Sequence, residues 1–257
     1  MSCIDLNCDM GEIPAAIFDG TQESLMPSLT SVNIACGGHA GDPDTMKATI
    51  EQALRWHLAI GAHPGYSDRE NFGRIGMQLP PEAVADSVFE QIRALAEIAA
   101  GCGATLTHVK PHGALYNQAV KDRVLARAIA DGVARWNRNV VLVGLAGSVM
   151  LGVFREAGFQ AAAEAFADRR YESDGSLRSR KFDDALILDP AEASLQALSI
   201  SHRGKVVAHS GAEIAVAAQT ICVHGDTPGA PVIARAVAQT LRDAGVDLKP
   251  LPSNSSV

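Results

Sequence analysis

Strand-like and helix-like patterns alternate through the whole chain, and few architectures accept that order. Short apolar runs at Cys3–Met10, Ser31–Cys36, Leu58–Ala62, Thr105–Val109, Val140–Gly144, Gln160–Ala165 and Thr220–Val223 read as strands. Between them, apolar residues at three- and four-residue spacing mark helices over Asp44–His57, Pro81–Ala100, Asp122–Trp136, Ser148–Ala157, Ala191–Ser199 and Pro231–Ala244. Helix punctuation agrees: Asp42-Pro43-Asp44 and Pro80-Pro81-Glu82 open helices, and Gly101, Gly158 and Gly245 follow helix ends. Repeated strand–helix units imply a parallel sheet with right-handed crossovers. About seven units without a linker or composition break predict one α/β domain over 1–257, a parallel (β/α) barrel. An open doubly wound sheet is the structural rival. Arg169–Asp184, rich in charge, Ser and Gly, reads as a long loop and a mobile lid, and 249–257 as a flexible tail.

Composition narrows the function classes. A formal net charge of −7, with no run of Lys or Arg, argues against nucleic-acid or anionic-membrane partners. No basic-then-apolar leader and no apolar stretch of about 20 residues is present, so neither secretion nor membrane spanning is expected. The five cysteines (Cys3, Cys8, Cys36, Cys102, Cys222) contain no Cys-x-x-Cys, which fits reduced thiols and a cytoplasmic protein better than a disulfide framework.

In parallel α/β folds, ligands bind beyond the carboxyl ends of the strands, and polar residues collect at those ends here. The first strand alternates cleanly, with Asp5, Asn7 and Asp9 on one face. If that face lines the barrel, two carboxylates must be paired, protonated or ligating. The second strand ends Cys36-Gly-Gly-His39, the third Ala62-His63-Pro-Gly65, and the last Cys222-Val-His224-Gly-Asp226. The fourth runs into His108-Val-Lys110-Pro-His112, whose basic groups share one side. Glu164 interrupts an alanine-rich strand, where an unpaired carboxylate is expensive. One strand-end histidine is ordinarily structural; four strands delivering histidines to one rim point to a shared active site.

Two chemistries remain open. Histidines with Asp9 suit a divalent metal, although no His-x-x-x-His on a helix and no His-Glu-x-x-His occurs. The alternative is metal-free acid–base catalysis, with Lys110 or Arg169 neutralising an anionic substrate. No Gly-x-Ser-x-Gly, Gly-x-Gly-x-x-Gly or Walker-type phosphate loop is found.

Asp5-Leu-Asn-Cys-Asp-Met-Gly-Glu12, Asn33-Ile-Ala-Cys-Gly-Gly-His-Ala-Gly-Asp42, Gly61-Ala-His-Pro-Gly65, Phe72-Gly-Arg74, Val109-Lys-Pro-His-Gly-Ala-Leu-Tyr116, Phe166-Ala-Asp-Arg169 and Cys222-Val-His-Gly-Asp226 together resemble the LamB/YcsF family. The resemblance runs from Asp5 to about Gly245. It implies a distorted seven-stranded barrel related to glycoside hydrolase/deacetylase barrels. It also implies one component of the ATP-dependent 5-oxoprolinase, which opens 5-oxo-L-proline to L-glutamate with ATP as co-substrate and two partner subunits. The motif positions are Asp5, Asn7, Asp9, His39, His63, Lys110, His112, Tyr116, Asp168, Arg169, His224 and Asp226. Asp9, His63, Lys110 and His112 are the expected catalytic residues; the remainder, with Glu164, are expected to bind substrate. Without a phosphate loop, ATP is expected to bind together with the partner subunits. The alternatives are a metal-dependent amidase or deacetylase and a non-catalytic, substrate-binding component. The chain departs from the usual family pattern at Ile13-Pro14, at Gly38 where phenylalanine is usual, and at Ile75 where a second arginine is usual.

Overall fold

The computed structural model describes residues 3–252. Seven parallel strands close into a barrel: β1 (Cys3–Met10), β2 (Ser31–Ala35), β3 (Ala59–His63), β4 (Leu106–Val109), β5 (Val141–Leu145), β6 (Gln160–Phe166) and, after a hairpin, β9 (Thr220–Cys222). Closure is made by β9, which pairs with β6 through Glu164↔Thr220 and with β1 through Asp5↔Thr220. The hairpin is β7 (Lys205–Val207) with β8 (Glu213–Ala215), and β10 (Asp247–Leu248) adds to the start of β1.

Helices α1 (Pro14–Phe18), α2 (Pro43–Arg55), α3 (Pro81–Gly101), α4 (Gly113–Ala119), α5 (Arg123–Trp136), α6 (Val149–Glu156), α7 (Pro190–Arg203) and α8 (Ala230–Asp243) wrap the outside. Their ends follow from local chemistry. Asp42 caps α2 by accepting from Asp44 and Thr45 backbone N–H groups, with Pro43 in the first turn. Asp122 caps α5 and Asp189 caps α7 in the same manner, and Gly204, in the left-handed region, stops α7. Among the described residues, no helix is long and apolar enough to cross a membrane.

The apolar core lies between barrel and helices, where Leu6, Cys8, Val32, Ile34, Ile60, Val109, Leu142, Ala165 and Ile221 are buried. Because strand side chains alternate, the intervening residues face the lumen. That lumen is polar: Asp5, Asn7, Ser31, Asn33, His63, His108, Lys110, Glu164 and Thr220 are all buried. Its apolar part is small, with Val141, Val143 and Ala162 packed by Leu251. Lys249 N–H bonds the Ile4 carbonyl, so the chain after β10 is tied to the start of β1. Residues 253–257 of the predicted tail lie outside the described residues.

Candidate active site at the barrel mouth

The lumen is organised around one ammonium. Lys110 Nζ sits 2.9 Å from Asp9 Oδ1 and 2.8 Å from Glu164 Oε1, with Cys222 Sγ at 3.2 Å. Burial pushes this amine down, and Asp9, Cys222 and Glu164 more than reverse it, so Lys110 stays charged. The expectation from sequence was that Lys110 or Arg169 neutralises an anionic substrate. The structure instead commits Lys110 to two carboxylates of its own chain.

The neighbouring residues complete a closed network. Asn7 Nδ2 donates to Thr220 Oγ1 (2.6 Å) and Glu164 Oε1 (3.1 Å), and Tyr116 donates to Glu164 Oε2 at 2.9 Å. Asn33 Nδ2 donates to Asn7 Oδ1 and Asp9 Oδ1 at 2.8 and 2.9 Å. The Asn33 amide oxygen only accepts, so His108 Nε2 is the donor across their 2.9 Å contact, and His108 Nδ1 accepts from Thr107. Burial beside Lys110 pushes His108 down to about 3, consistent with a neutral ring. Gly61 makes room for that ring, since a Cβ there would lie 2.2 Å from His108 Nε2.

Above this layer, His39, His63 and His112 meet Glu12. His63 Nε2 is 3.3 Å from Asp9 Oδ2, and His112 Nδ1 is 3.0 Å from His63 Nε2. Glu12 Oε1 accepts from His39 Nε2 at 2.8 Å, while the His39 and His112 rings stack at 3.5 Å. Burial drives His39 down to about 4 despite this bond. Donor atoms of Glu12, His39, His63 and His112 all lie within 4.8 Å of one another, as do those of Asp9, Cys222 and His224, so both groups are candidate metal donors.

The remaining predicted residues sit lower or nearer the rim. Asp168 accepts from the backbone and Nδ1 of His224 and from Thr227 Oγ1, and the His224 ring stacks on Phe166 at 5.3 Å. Asp226 pairs with Arg74 at 2.6 Å and Arg180 at 2.7 Å. Arg169 is buried, gives Nη2 to the Arg178 carbonyl, and leaves Nε without a partner among the described residues. Burial, with Arg180 nearby, lowers it to about 10. Asp5 lies four residues before Asp9 at the other end of the lumen. There it accepts from Thr30 (2.6 Å), Ser31 (3.0 Å) and Thr220, and so joins β1, β2 and β9 below the mouth.

Glu12, Asn33, Phe72 and Arg74 were absent from the sequence-derived site, although their motifs were in view. Glu12 follows Gly11, whose φ of +77° turns the chain off the strand, so strand alternation cannot report its direction. The departure at Gly38 has a local reason. A Cβ there would meet Gln91 Oε1 at 2.4 Å, and that amide clamps both N–H and C=O of Gly65.

Beside the histidines, a cavity of about 150 Å³ is lined by Asp9, Met10, Glu12, Ile13, Gly225 and Asp226, among others. A larger groove of about 540 Å³ runs along α3, α5 and α6, lined by Arg123, Arg127, Arg135 and Glu156. It contains none of the strand-end residues, and the smaller cavity is the one that adjoins the titratable cluster.

The profile of the LamB/YcsF family matches residues 4–256. The chain belongs to that family. Within it, the chain is 48% identical over 249 residues to a 5-oxoprolinase subunit of Chloroflexus aggregans, covering 97% of this chain and 99% of that one. The crystal structure of the lactam utilization protein from Thermus thermophilus superposes with a TM-score of 0.90 at 42% identity, covering 97% of this chain and all of that one. The catalytic domain of a peptidoglycan N-acetylglucosamine deacetylase from Eubacterium rectale, at 11% identity and a TM-score of 0.50, shares the barrel alone.

Proposed function

We propose that this LamB/YcsF chain is the lactam-handling component of an ATP-dependent 5-oxoprolinase. The observation that carries the reading is one mouth where the Asp9–Lys110–Glu164 ion network meets Glu12 and three histidines beside a small cavity. Relatives named as 5-oxoprolinase subunits, at 48% and 46% identity over nearly their whole length, support the substrate class.

A lactam is a poor electrophile, and transfer of the ATP γ-phosphoryl group to its oxygen makes the carbon attackable. Water then adds, with its proton taken by Asp9 or a neutral histidine of the His63–His112 pair. The ring C–N bond breaks as the nitrogen is protonated, and a second water releases phosphate from the acyl phosphate to leave L-glutamate. Burial pushes the Asp9 carboxyl up, but His63 and Lys110 hold it well below the usual range, so it enters the reaction as an anion able to accept that proton. The substrate carboxylate is matched by Arg74, Arg169 and Arg180, which outnumber Asp226 at the rim; of the two cations expected from sequence, this keeps Arg169 and releases Lys110.

ATP coupling needs a phosphate cradle, commonly a glycine-rich loop with lysine at a helix N-terminus, and the sequence offers none of that form. The nucleotide site is therefore assigned to an assembly with two further subunits. The test is ATP-dependent glutamate release from 5-oxo-L-proline by the purified chain, alone and with those subunits. Turnover is expected in the assembly and little in the chain alone. Full turnover by the isolated chain would move ATP to this barrel's own mouth, and none in either sample would refute the reading.

A further inference from the structure

Three electron-pair donors face one another at the mouth when both of its facing rings are neutral, although against the push of burial Asp9 beside His63 pulls that imidazole toward its protonated form. His63 Nδ1 is 2.7 Å from the Lys110 carbonyl, and His112 Nε2 is 2.9 Å from the Phe72 carbonyl. A carbonyl only accepts, so each of those nitrogens carries the hydrogen. In neutral rings, lone pairs then remain on His63 Nε2 and His112 Nδ1, which stand 3.0 Å apart. Glu12 Oε1 adds a third, 3.2 Å from His112 Nδ1 and 3.9 Å from His63 Nε2. Acceptors facing acceptors at such distances in a buried site repel unless a proton or a metal cation lies among them.

The backbone is strained to hold this arrangement. Phe72 has φ +55°, unusual for a bulky residue, and its carbonyl is the one that fixes the His112 tautomer. Gly73, at φ +62°, backs onto the rings, where a Cβ would come within 2.7 Å of His39 Cβ.

We propose that Glu12, His63 and His112 bind a divalent first-row transition ion of the zinc type, with His39 as a positioning residue. Metal–ligand bonds of about 2.0–2.2 Å place tetrahedral ligands about 3.3–3.6 Å apart, and the observed edges of 3.0, 3.2 and 3.9 Å bracket that range. Two imidazoles and one carboxylate form a donor set that leaves a coordination position open. His39 does not supply the fourth ligand. Its ring stacks parallel to His112, within 4°, so an ion in the His112 plane lies off the His39 plane. It instead donates Nε2–H to Glu12 Oε1 and aims that carboxylate. Asp9 Oδ2 lies 3.3 Å from His63 Nε2, and Asp9 and Glu12 both line the adjoining cavity.

This site stands apart from the lactam reading, because binding is measured on the purified chain with neither ATP nor 5-oxoproline. Chelator-treated protein is titrated with Co²⁺, reading visible d–d absorption, and with Zn²⁺ by equilibrium dialysis. One equivalent per chain is expected, with Mg²⁺ failing to compete. Glu12→Gln and His112→Ala are expected to abolish the saturable signal, while His39→Ala weakens it roughly 10–100-fold. His224→Ala, which disables the Asp9–Cys222–His224 group, is expected to leave it intact. Circular dichroism and thermal melting of each apo variant separate ligand loss from unfolding. Absence of saturable uptake by the wild type, or equal uptake by Glu12→Gln and His112→Ala, overturns the proposal and leaves a proton on His63 shared between Asp9 and His112.

Discussion

Lys110 is where residue-scale energetics and the chemistry meet. An ammonium placed for a substrate anion would repel its surroundings in the empty protein, and its removal would cost little. This one instead balances Asp9 and Glu164, with Lys110 and Glu164 almost fully buried. Lys110→Met therefore leaves two buried carboxylates without their cation, and a loss of roughly 3–5 kcal/mol is expected, as for other broken buried pairs. Urea unfolding checks this at neutral pH. Lys110→Met/Glu164→Gln is expected to recover part of the loss, because one stranded charge is gone. A Lys110→Met midpoint equal to that of the wild type would mean the ammonium is not what neutralises the lumen. Activity cannot separate the alternatives, since Asp9 loses its partner in either case.

At the scale of elements, the segment 169–184 between β6 and α7 meets the rim of the mouth through Arg180. Bridges at Arg169↔Leu186 and Tyr171↔Leu177 fold it on itself, and Arg178 ties Glu172 to Asp184. Arg180 reaches across the rim to Asp226, beyond β9. A partly exposed pair of this kind contributes at most about 1 kcal/mol, so Asp226→Asn is expected to raise protease nicking within 177–184 roughly 2–5-fold. Addition of 5-oxoproline with nucleotide is expected to slow nicking in the wild type. An unchanged rate in Asp226→Asn would show that the internal ties alone hold the loop.

The same scale explains what was legible beforehand. All seven barrel strands were found within a residue or two, because each is an apolar or strictly alternating run bounded by turns. α1, α4, the β7–β8 hairpin and β10 were not, since elements of two to seven residues show too little periodicity to register. The strand ends named His39, His63, Lys110 and His112 correctly as neighbours. Alternation reports which face a residue takes but not its depth, which is why Asp5 was grouped with Asp9 although it closes the opposite end of the lumen. Nor does it report pairing: Lys110 was placed, but its two carboxylate partners come from strands far away in sequence.

At the scale of the whole molecule, an apolar shell surrounds a charged lumen, so folding sets ionisation as well as shape. Asp9, Glu12, Asp168 and Asp226 all lie below the usual carboxylate range. In each, burial pushes the carboxyl up and its partners more than reverse the effect: His63 and Lys110 for Asp9, His112 and His39 for Glu12, His224 for Asp168, Arg180 for Asp226. A group whose folded pKa is depressed contributes stability above its unfolded value, and that contribution is lost as pH falls through the folded value. Stability is therefore expected to drop steeply below about pH 4, with proton uptake on unfolding. Asp5 has the opposite sign. Burial holds it above the usual value despite bonds from Thr220, Thr30 and Ser31, so its contribution belongs to low pH and fades as pH rises. Urea midpoints from about pH 3 to about pH 7, with a chelator present so that bound cations do not contribute, resolve the two. Asp168→Asn is expected to lower the neutral-pH midpoint and flatten the acid limb, because the depressed carboxylate it removes is one source of that slope. Asp5→Asn is expected to leave the acid limb standing. An Asp168→Asn profile parallel to the wild type over the whole range would mean that Asp168 does not hold His224 through its charge.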